Sequence, residues 1–224
     1  MPKSGNIEIK ILGNAAVITH PSEGGMCISK TVKLGNLLRC FADMSGGVET
    51  PILPENCIKY KEEGNSTILA LYHRQAKFTA TIDGIKYENC IRPNIVMVYT
   101  LTNKGAGGWS MRDTRAFGIL EDRLLVTPGS ALLNLPFPNI GGGGWICWGS
   151  NSISGTFRSL TGLTMLCDRL FAAPFNNHLY SSAPFKHLGI NSHIDFFKYL
   201  QNKDNFPTEM LAKNPGRQMV LGDI

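Results

Sequence analysis

The chain reads as an α+β protein, and three observations carry that reading. Residues 67–119 hold short apolar, β-branched and aromatic runs separated by Asp-Gly and Gly-rich turns. Residues 160–200 instead space their apolar side chains at helical intervals. Between them, residues 135–150 contain two prolines, four consecutive glycines and a single thiol, a composition unsuited to either regular structure. Strands first and helices afterwards, with an irregular loop at the junction, is the α+β plan.

At the start of the chain, residues 7–11 and 15–19 alternate well enough to be two strands around Gly13-Asn14, a hairpin signal. Residues 31–44 place Val32, Leu34, Leu37, Leu38, Phe41 and Met44 on one helical face, despite Gly35, with Gly46-Gly47 as the stop. Pro51 and Pro54 then interrupt the chain. Residues 1–60 are therefore expected to form a small α/β extension packed on a core domain of residues 61–224. In that domain 67–72 and 78–82 read as strands, and the Asp83-Gly84 turn leads into 85–87. Pro93 precedes 95–101, whose near-continuous apolar run predicts a central strand covered on both faces. Residues 103–108 form a glycine-rich hairpin turn before the next strand, 109–119. Short connections predict antiparallel pairing of successive strands, an antiparallel meander. After the loop, Leu163, Leu166, Cys167, Leu170 and Phe171 lie at helical spacing, and Pro174 ends that helix. Asn191 or Ser192 caps a second helix through Ile194, Phe197, Tyr199 and Leu200. Residues 206–224, with two prolines and little periodicity, are expected to wrap the surface.

Composition narrows the class of function. Of the 224 residues, 43% are hydrophobic and 17% charged, the profile of a folded globular chain. No run approaches the roughly 18 apolar residues that span a bilayer. The N-terminal residues lack the basic, apolar and small-residue succession of a secretion signal, so a cytoplasmic location is expected. The net charge of +5 is spread thinly, without a basic run or basic-aromatic helix, which leaves nucleic-acid binding unsupported and suits an acidic protein partner. Six cysteines at wide, irregular spacing include no Cys-x-x-Cys pair, and the five histidines add no ligand pattern. Free thiols in a reducing compartment are expected, with no metal and no cofactor. Cys27, Cys40, Cys57, Cys90 and Cys167 sit in apolar surroundings and read as small buried hydrophobes. The glycine run is not followed by Gly-Lys-Ser/Thr, which argues against a phosphate-binding loop.

Cys147 is the exception among the thiols. It follows Pro138-Asn139-Ile140, then Gly141, Gly142, Gly143, Gly144, Trp145 and Ile146, and precedes Trp148-Gly149. A loop of this composition that delivers one thiol between tryptophans has the geometry of a reactive site. Trp145 and Trp148 read either as walls of a groove or as core packing. Asn139 reads either as a turn former after Pro138 or as an amide donor beside the thiol.

These residues resemble the active-site segment of ubiquitin-conjugating enzymes. That family reads His-Pro-Asn, a short flap, then Gly-x-hydrophobic-Cys, and here too eight positions separate Asn139 from Cys147. The segment also falls after the strands and before the helical half, as in the family. The chain is more closely similar to a bacterial branch, prokaryotic family D, including the PRTRC system protein B group. That likeness covers roughly residues 50–210: Leu53-Pro54-Glu55, Leu69-Ala70-Leu71-Tyr72, Pro93, residues 132–139, Cys147-x-Gly149-Ser150 and Phe171-x-x-x-Phe175-x-x-His178. Phe137 stands where the family has histidine, and Trp148 where leucine commonly follows the cysteine. No residue is assigned to the acidic group that helps deprotonate the attacking lysine in many members.

The resemblance implies a UBC-like fold and a carrier reaction. An activating enzyme passes the C-terminal carboxyl of a ubiquitin-like protein to Cys147 as a thioester, and an amine then attacks it. Asn139 would donate to the tetrahedral oxyanion or brace the loop that does. Gly141, Gly142, Gly143 and Gly144, with Trp145, Trp148 and Gly149, would leave an open groove for the modifier's tail. Asn177 and His178 are candidates for the amine side. By the same resemblance the partners would be a ThiF-like activating enzyme, a ubiquitin-like modifier and a JAB-type peptidase as pathway neighbour, in an operon of a kind associated with phage defence or mobile elements. Two other readings compete. One is an inactive UBC-like module that binds a ubiquitin-like protein. The other is a cysteine hydrolase using Cys147 with His178, His187 or His193 as base, although Trp148-Gly149-Ser150-Asn151 is a poor helix start for a papain-like site.

Overall fold

The computed structural model of the chain describes residues 7–21, 27–44, 50–149, 153, 155–214 and 218–224. Gly46-Gly47, Ser150, Asn151 and the first six residues lie outside the described residues, as does the side chain of Met44. The fold is α+β, with antiparallel sheets and few helices. The chain divides into two compact units, Met1–Thr50 and Pro51–Ile224. The expected boundary at residue 60 is thereby corrected, because it would cut a strand of the second unit's main sheet.

The first unit is a three-stranded antiparallel sheet in the order β1-β2-β3, built from Glu8–Leu12 (β1), Ala15–Pro21 (β2) and Cys27–Lys33 (β3) and followed by Leu34–Met44 (α1). The expected hairpin is present, with Gly13 at φ +57 in its turn. The helix expected from residue 31 starts later, because Thr31, Val32 and Lys33 pair with Val17, Ala16 and Ala15. Branched side chains at Ile28, Thr31 and Val32 favour that ladder over a helical turn. Cys27 and Cys40 are exposed rather than buried. So small a unit has too little interior to cover them.

The second unit is organised by a five-stranded antiparallel sheet in the order β10-β9-β8-β5-β4. Its strands are Cys57–Glu63 (β4), Ser66–His73 (β5), Ile95–Asn103 (β8), Trp109–Gly118 (β9) and Thr156–Phe157 (β10). Between β5 and β8 the chain makes a separate hairpin, Ala76–Ile82 (β6) and Ile85–Arg92 (β7), turning at Asp83 and Gly84 with positive φ. The expected meander is thus interrupted: β5 pairs with β8, not with its neighbour in sequence. Residues 69–72 and 95–99 are buried throughout, so β5 and β8 take the centre, as expected of an apolar run. The partly exposed β6 lies outside the sheet.

Both faces of the sheet are covered. On one, Leu69, Leu71, Met97, Tyr99 and Leu101 pack with the helical half. That half comprises a 3-10 turn, Leu160–Thr164, running into Met165–Ala172 (α2), and later His193–Leu200 (α3). The buried Tyr99 hydroxyl donates to the Leu163 carbonyl at 3.0 Å, so its polar end is satisfied. Ser192 caps α3, accepting from the Asp195 amide at 3.1 Å, while the Asp195 carboxylate accepts from the Asn191 amide at 3.3 Å. On the other face, Ala70, Tyr72, Val96, Val98 and Phe117 pack with Leu132 and Leu221. The tail therefore does more than wrap the surface. Val220 bridges Ala131, Ala212 bridges Asn134, and Phe206, Met210 and Leu221 are buried. An antiparallel sheet with apolar side chains on both faces needs cover on both.

Phe137 is the meeting point of the helical half. It is 1% exposed, and its ring lies 4.9 Å from Phe171, 5.5 Å from Phe196, 6.0 Å from Phe78 and 6.2 Å from Phe206, centroid to centroid. The Phe171 and Phe196 contacts are edge-to-face, the favourable arrangement for aromatic quadrupoles. We expect Phe137→Ala to destabilise the second unit by about 3–5 kcal/mol, read from urea unfolding.

His73 adds a pH dependence. Burial, with the Arg92 charge nearby, pushes its imidazole from 6.5 down to about 4. Arg92 is itself held by the Arg74 carbonyl and the Asp168 carboxylate. The unfolded chain takes up a proton that the folded chain refuses, so this contribution is complete above pH 6.5 and fades as pH falls towards 4. At most about 3 kcal/mol is lost on that account. The wild type should therefore lose stability relative to His73→Gln as pH falls below 6.5, while the difference between the two stays constant above it.

Candidate active site

Residues 137–147 form a tight, backbone-clamped loop. The Ile140 amide donates to the Phe137 carbonyl at 2.9 Å, a turn around Pro138-Asn139. The Cys147 amide donates to the Asn139 carbonyl at 2.9 Å, Ile140 and Ile146 bridge, and the Gly141 amide donates to the Trp145 carbonyl at 2.9 Å. The tip closes with the Gly144 amide on the Gly141 carbonyl at 3.0 Å. The loop is thus a narrow antiparallel ladder whose base joins Asn139 directly to Cys147. Trp145 also bridges Arg115, fastening the loop to the outer edge of β9.

The spacing Asn139–Cys147 is legible in the sequence, and the structure brings the two residues together. Asn139 is 6% exposed, and its side-chain amide donates to the Pro174 carbonyl at 3.2 Å. That bond makes it a brace between the loop and the segment after α2. Cys147 is half-buried. Elsewhere in the second unit burial pushes Cys90 up to about 11 and Cys167 to about 12, and Cys57 is raised by the same cause. Those three are poor sources of thiolate.

The glycines have a different use from the expected open groove. The Trp145 indole lies over Gly141, where a Cβ would stand 2.1 Å from the indole nitrogen. Gly144, at φ +81, is buried, and a Cβ there would stand 2.7 Å from the Phe117 ring and 2.8 Å from the Ala116 carbonyl. Gly142 and Gly143 face open space, with Gly143 at φ +76. Two of the four glycines therefore admit packing rather than a ligand. Gly149 is exposed at φ +55, and Trp148 is half-buried against the main core.

A cleft of about 330 Å³ does open between β9 and the loop. Met111, Arg112, Asp113 and Thr114 line one side, and Trp145, Ile146 and Trp148 the other, so the two residues flanking Cys147 belong to its wall but Cys147 does not. Asp113 puts a carboxylate into this cleft, accepting from the Thr114 amide at 2.9 Å and the Arg115 Nε at 2.8 Å. The sequence contains no spacing signal linking Asp113 to the loop; the bridge between Arg115 and Trp145 brings β9 alongside it.

Asn134 is a second residue that the sequence does not flag. Its Oδ1 accepts from the Gly143 amide at 3.0 Å, while its backbone pairs with Ala212 of the tail. It holds the tip of the loop as Asn139 holds the base.

The histidines stand apart. The His178 amide donates to the Asn176 side chain at 2.9 Å, the Asn177 carbonyl accepts from the Tyr180 amide at 3.2 Å, and the His193 ring lies 6.3 Å from that of Tyr180. Among the described residues no hydrogen bond or ring contact joins His178, His187, His193 or Asn177 to Cys147. Nor, among them, does any group of His, Cys, Asp or Glu form a metal-binding cluster. No described helix is long and apolar enough to cross a membrane.

No family model, curated protein or solved structure matches this chain.

The loop geometry orders the cost of adding a methyl group to its glycines. Gly144→Ala meets a backbone carbonyl, a ring and a left-handed conformation, and is expected to cost about 2–4 kcal/mol. Gly142→Ala, in open space, should stay within about 0.5 kcal/mol of the wild type. Urea unfolding of the two variants checks the order.

Proposed function

We propose that Cys147 is the acyl-carrying thiol of a UBC-like, prokaryotic ubiquitin-conjugating-type transferase. The observation that carries this reading is the clamp joining Asn139 to Cys147 at the base of a glycine-built loop. It pairs the two residues that the resemblance assigns to the chemistry, and it holds a half-buried thiol whose two neighbours line a cleft.

The first step exchanges thioesters. Cys147 thiolate attacks the acyl carbon of a modifier already activated, at the expense of ATP, by a ThiF-like enzyme. The activating enzyme's thiol leaves and the Cys147 thioester remains. In the second step an amine adds to that carbonyl, the oxyanion collapses, Cys147 departs as thiolate and the amine's proton passes to solvent. Asn139 acts by holding the loop against the Pro174 carbonyl, so its role is to position the thioester. Phe137 serves the same end by packing, which explains how the family's histidine can be replaced without loss of the scaffold. Asp113 is the acidic side chain of the cleft, held there by Arg115 and next to Arg112. The modifier's tail lies in this cleft rather than across Gly141 and Gly144. The JAB-type peptidase and a defence or mobile-element setting belong to the same proposal by resemblance.

The test is a non-reducing gel of the chain with an activating enzyme, modifier and ATP. A shifted band that reductant abolishes, and that Cys147→Ser converts to a reductant-stable ester or loses, is the expected outcome. Transfer that survives Cys147→Ala refutes the proposal. Asn139→Ala is expected to slow transfer to an amine by about 10²-fold through misplacement of the thioester.

A further inference from the structure

The cleft between β9 and the loop has the makeup of a recognition surface. Met111, Arg112, Trp145 and Trp148 line it, together with Ile146 and Ile153. Tryptophan, methionine and arginine are among the residues enriched where one protein binds another. Trp145 is 44% exposed, so much of its ring faces solvent although the indole also covers Gly141. Trp109, the third tryptophan of the chain, lines a second cleft of about 470 Å³ further along β9, with Thr156 and Arg158. Charge is as uneven here as the apolar lining. Residues 103–118 and 135–160 contain Lys104, Arg112, Arg115 and Arg158 but a single acidic residue, Asp113. Arg115 pairs with Asp113 at 2.8 Å. Among the described residues, the charged ends of Lys104, Arg112 and Arg158 have no hydrogen-bond or ion-pair partner.

We propose that Arg112 selects the modifier through an acidic side chain in its tail, while an apolar side chain of the same tail seats against Met111, Trp145 and Trp148. The inference rests on the reading of Cys147 as an acyl carrier, which puts the modifier's tail in this cleft. The tail's own carboxyl is consumed in the thioester and carries no charge there, so a side chain must supply the anion. A guanidinium offers a carboxylate a planar fork of donors, and it is more weakly hydrated than an ammonium, so it gives up water at lower cost. Arg158 and Lys104 extend the positive field along β9 and favour the approach of an acidic segment. The occupant is a peptide and not a nucleic acid. One free guanidinium in the cleft suits a carboxylate held at one point, whereas a nucleic-acid strand would carry successive phosphates past Asp113 in the same wall.

Peptide titrations of the full chain, followed by NMR at the indole signals of Trp145 and Trp148, test the proposal. The probes are capped peptides of roughly ten residues in which a leucine is followed by either glutamate or lysine. The glutamate peptide is expected to bind about fivefold more tightly than the lysine peptide, with the gap narrowing as salt is added. Arg112→Glu should reverse that order, and Lys86→Glu on β7 should leave it unchanged. Serine in place of the leucine should weaken both peptides. Binding by neither peptide, binding without charge preference, or a preference that survives Arg112→Glu overturns the proposal. So does displacement of the glutamate peptide by a short single-stranded oligonucleotide, which would assign the cleft to nucleic acid. The thioester on Cys147 is read separately, in the gel assay. Peptide preference without a thioester counts against the carrier reading alone, and a thioester without the preference refutes this inference alone.

Discussion

The ring of Phe137 is the contact on which the second unit's helical half and its thiol loop both depend. Residues that meet there come from β6, α2, the segment after it, α3 and the start of the tail, through Phe78, Phe171, Phe175, Phe196, Phe197 and Phe206. Each aromatic pair adds about 0.5–1.5 kcal/mol beyond the area it buries. More important is where the ring is attached. It lies two residues before Asn139, so the same contact that closes the core also fixes the point from which the loop departs.

From that anchor the loop is held at three levels by hydrogen bonds to different partners. Its base is tied by the Asn139 carbonyl and by the Asn139 side chain on Pro174. Its neck is tied by the Gly141–Trp145 pair and the bridge to β9, and its tip by Asn134. A segment so rich in glycine has much conformational freedom to lose on ordering. Backbone pairing and the indole on Gly141 offset that loss. The result is a thiol whose position is set by main-chain geometry, while the buried thiols Cys90 and Cys167 are held in the neutral form by desolvation.

The two units meet the problem of burial differently. In the second, every apolar face of the main sheet finds cover inside the unit, from helices on one side and the tail on the other. The first has a sheet of three short strands and one helix, and its apolar residues outrun its interior. Both follow from size, since the fraction of surface a domain can bury rises with its length.

Local chemistry made several features readable from residues alone. The Gly13 and Asp83-Gly84 turns, the buried strand after Pro93, the Pro174 stop, the cap at Ser192 and the Asn139–Cys147 spacing each depend on a few adjacent side chains. A turn needs a residue that tolerates positive φ, and a cap needs a hydroxyl beside a free amide. What tertiary structure decided was partnership. The sequence could not show that β5 pairs with β8 past an intervening hairpin, that residues 27–33 extend rather than coil, or that the tail enters a core. Nor could it bring Asp113 and Asn134 to the loop, or close Gly141 under Trp145. Which strand or side chain comes to lie alongside is set by the burial of residues far apart in the chain, and that depends on the whole fold rather than on any one segment.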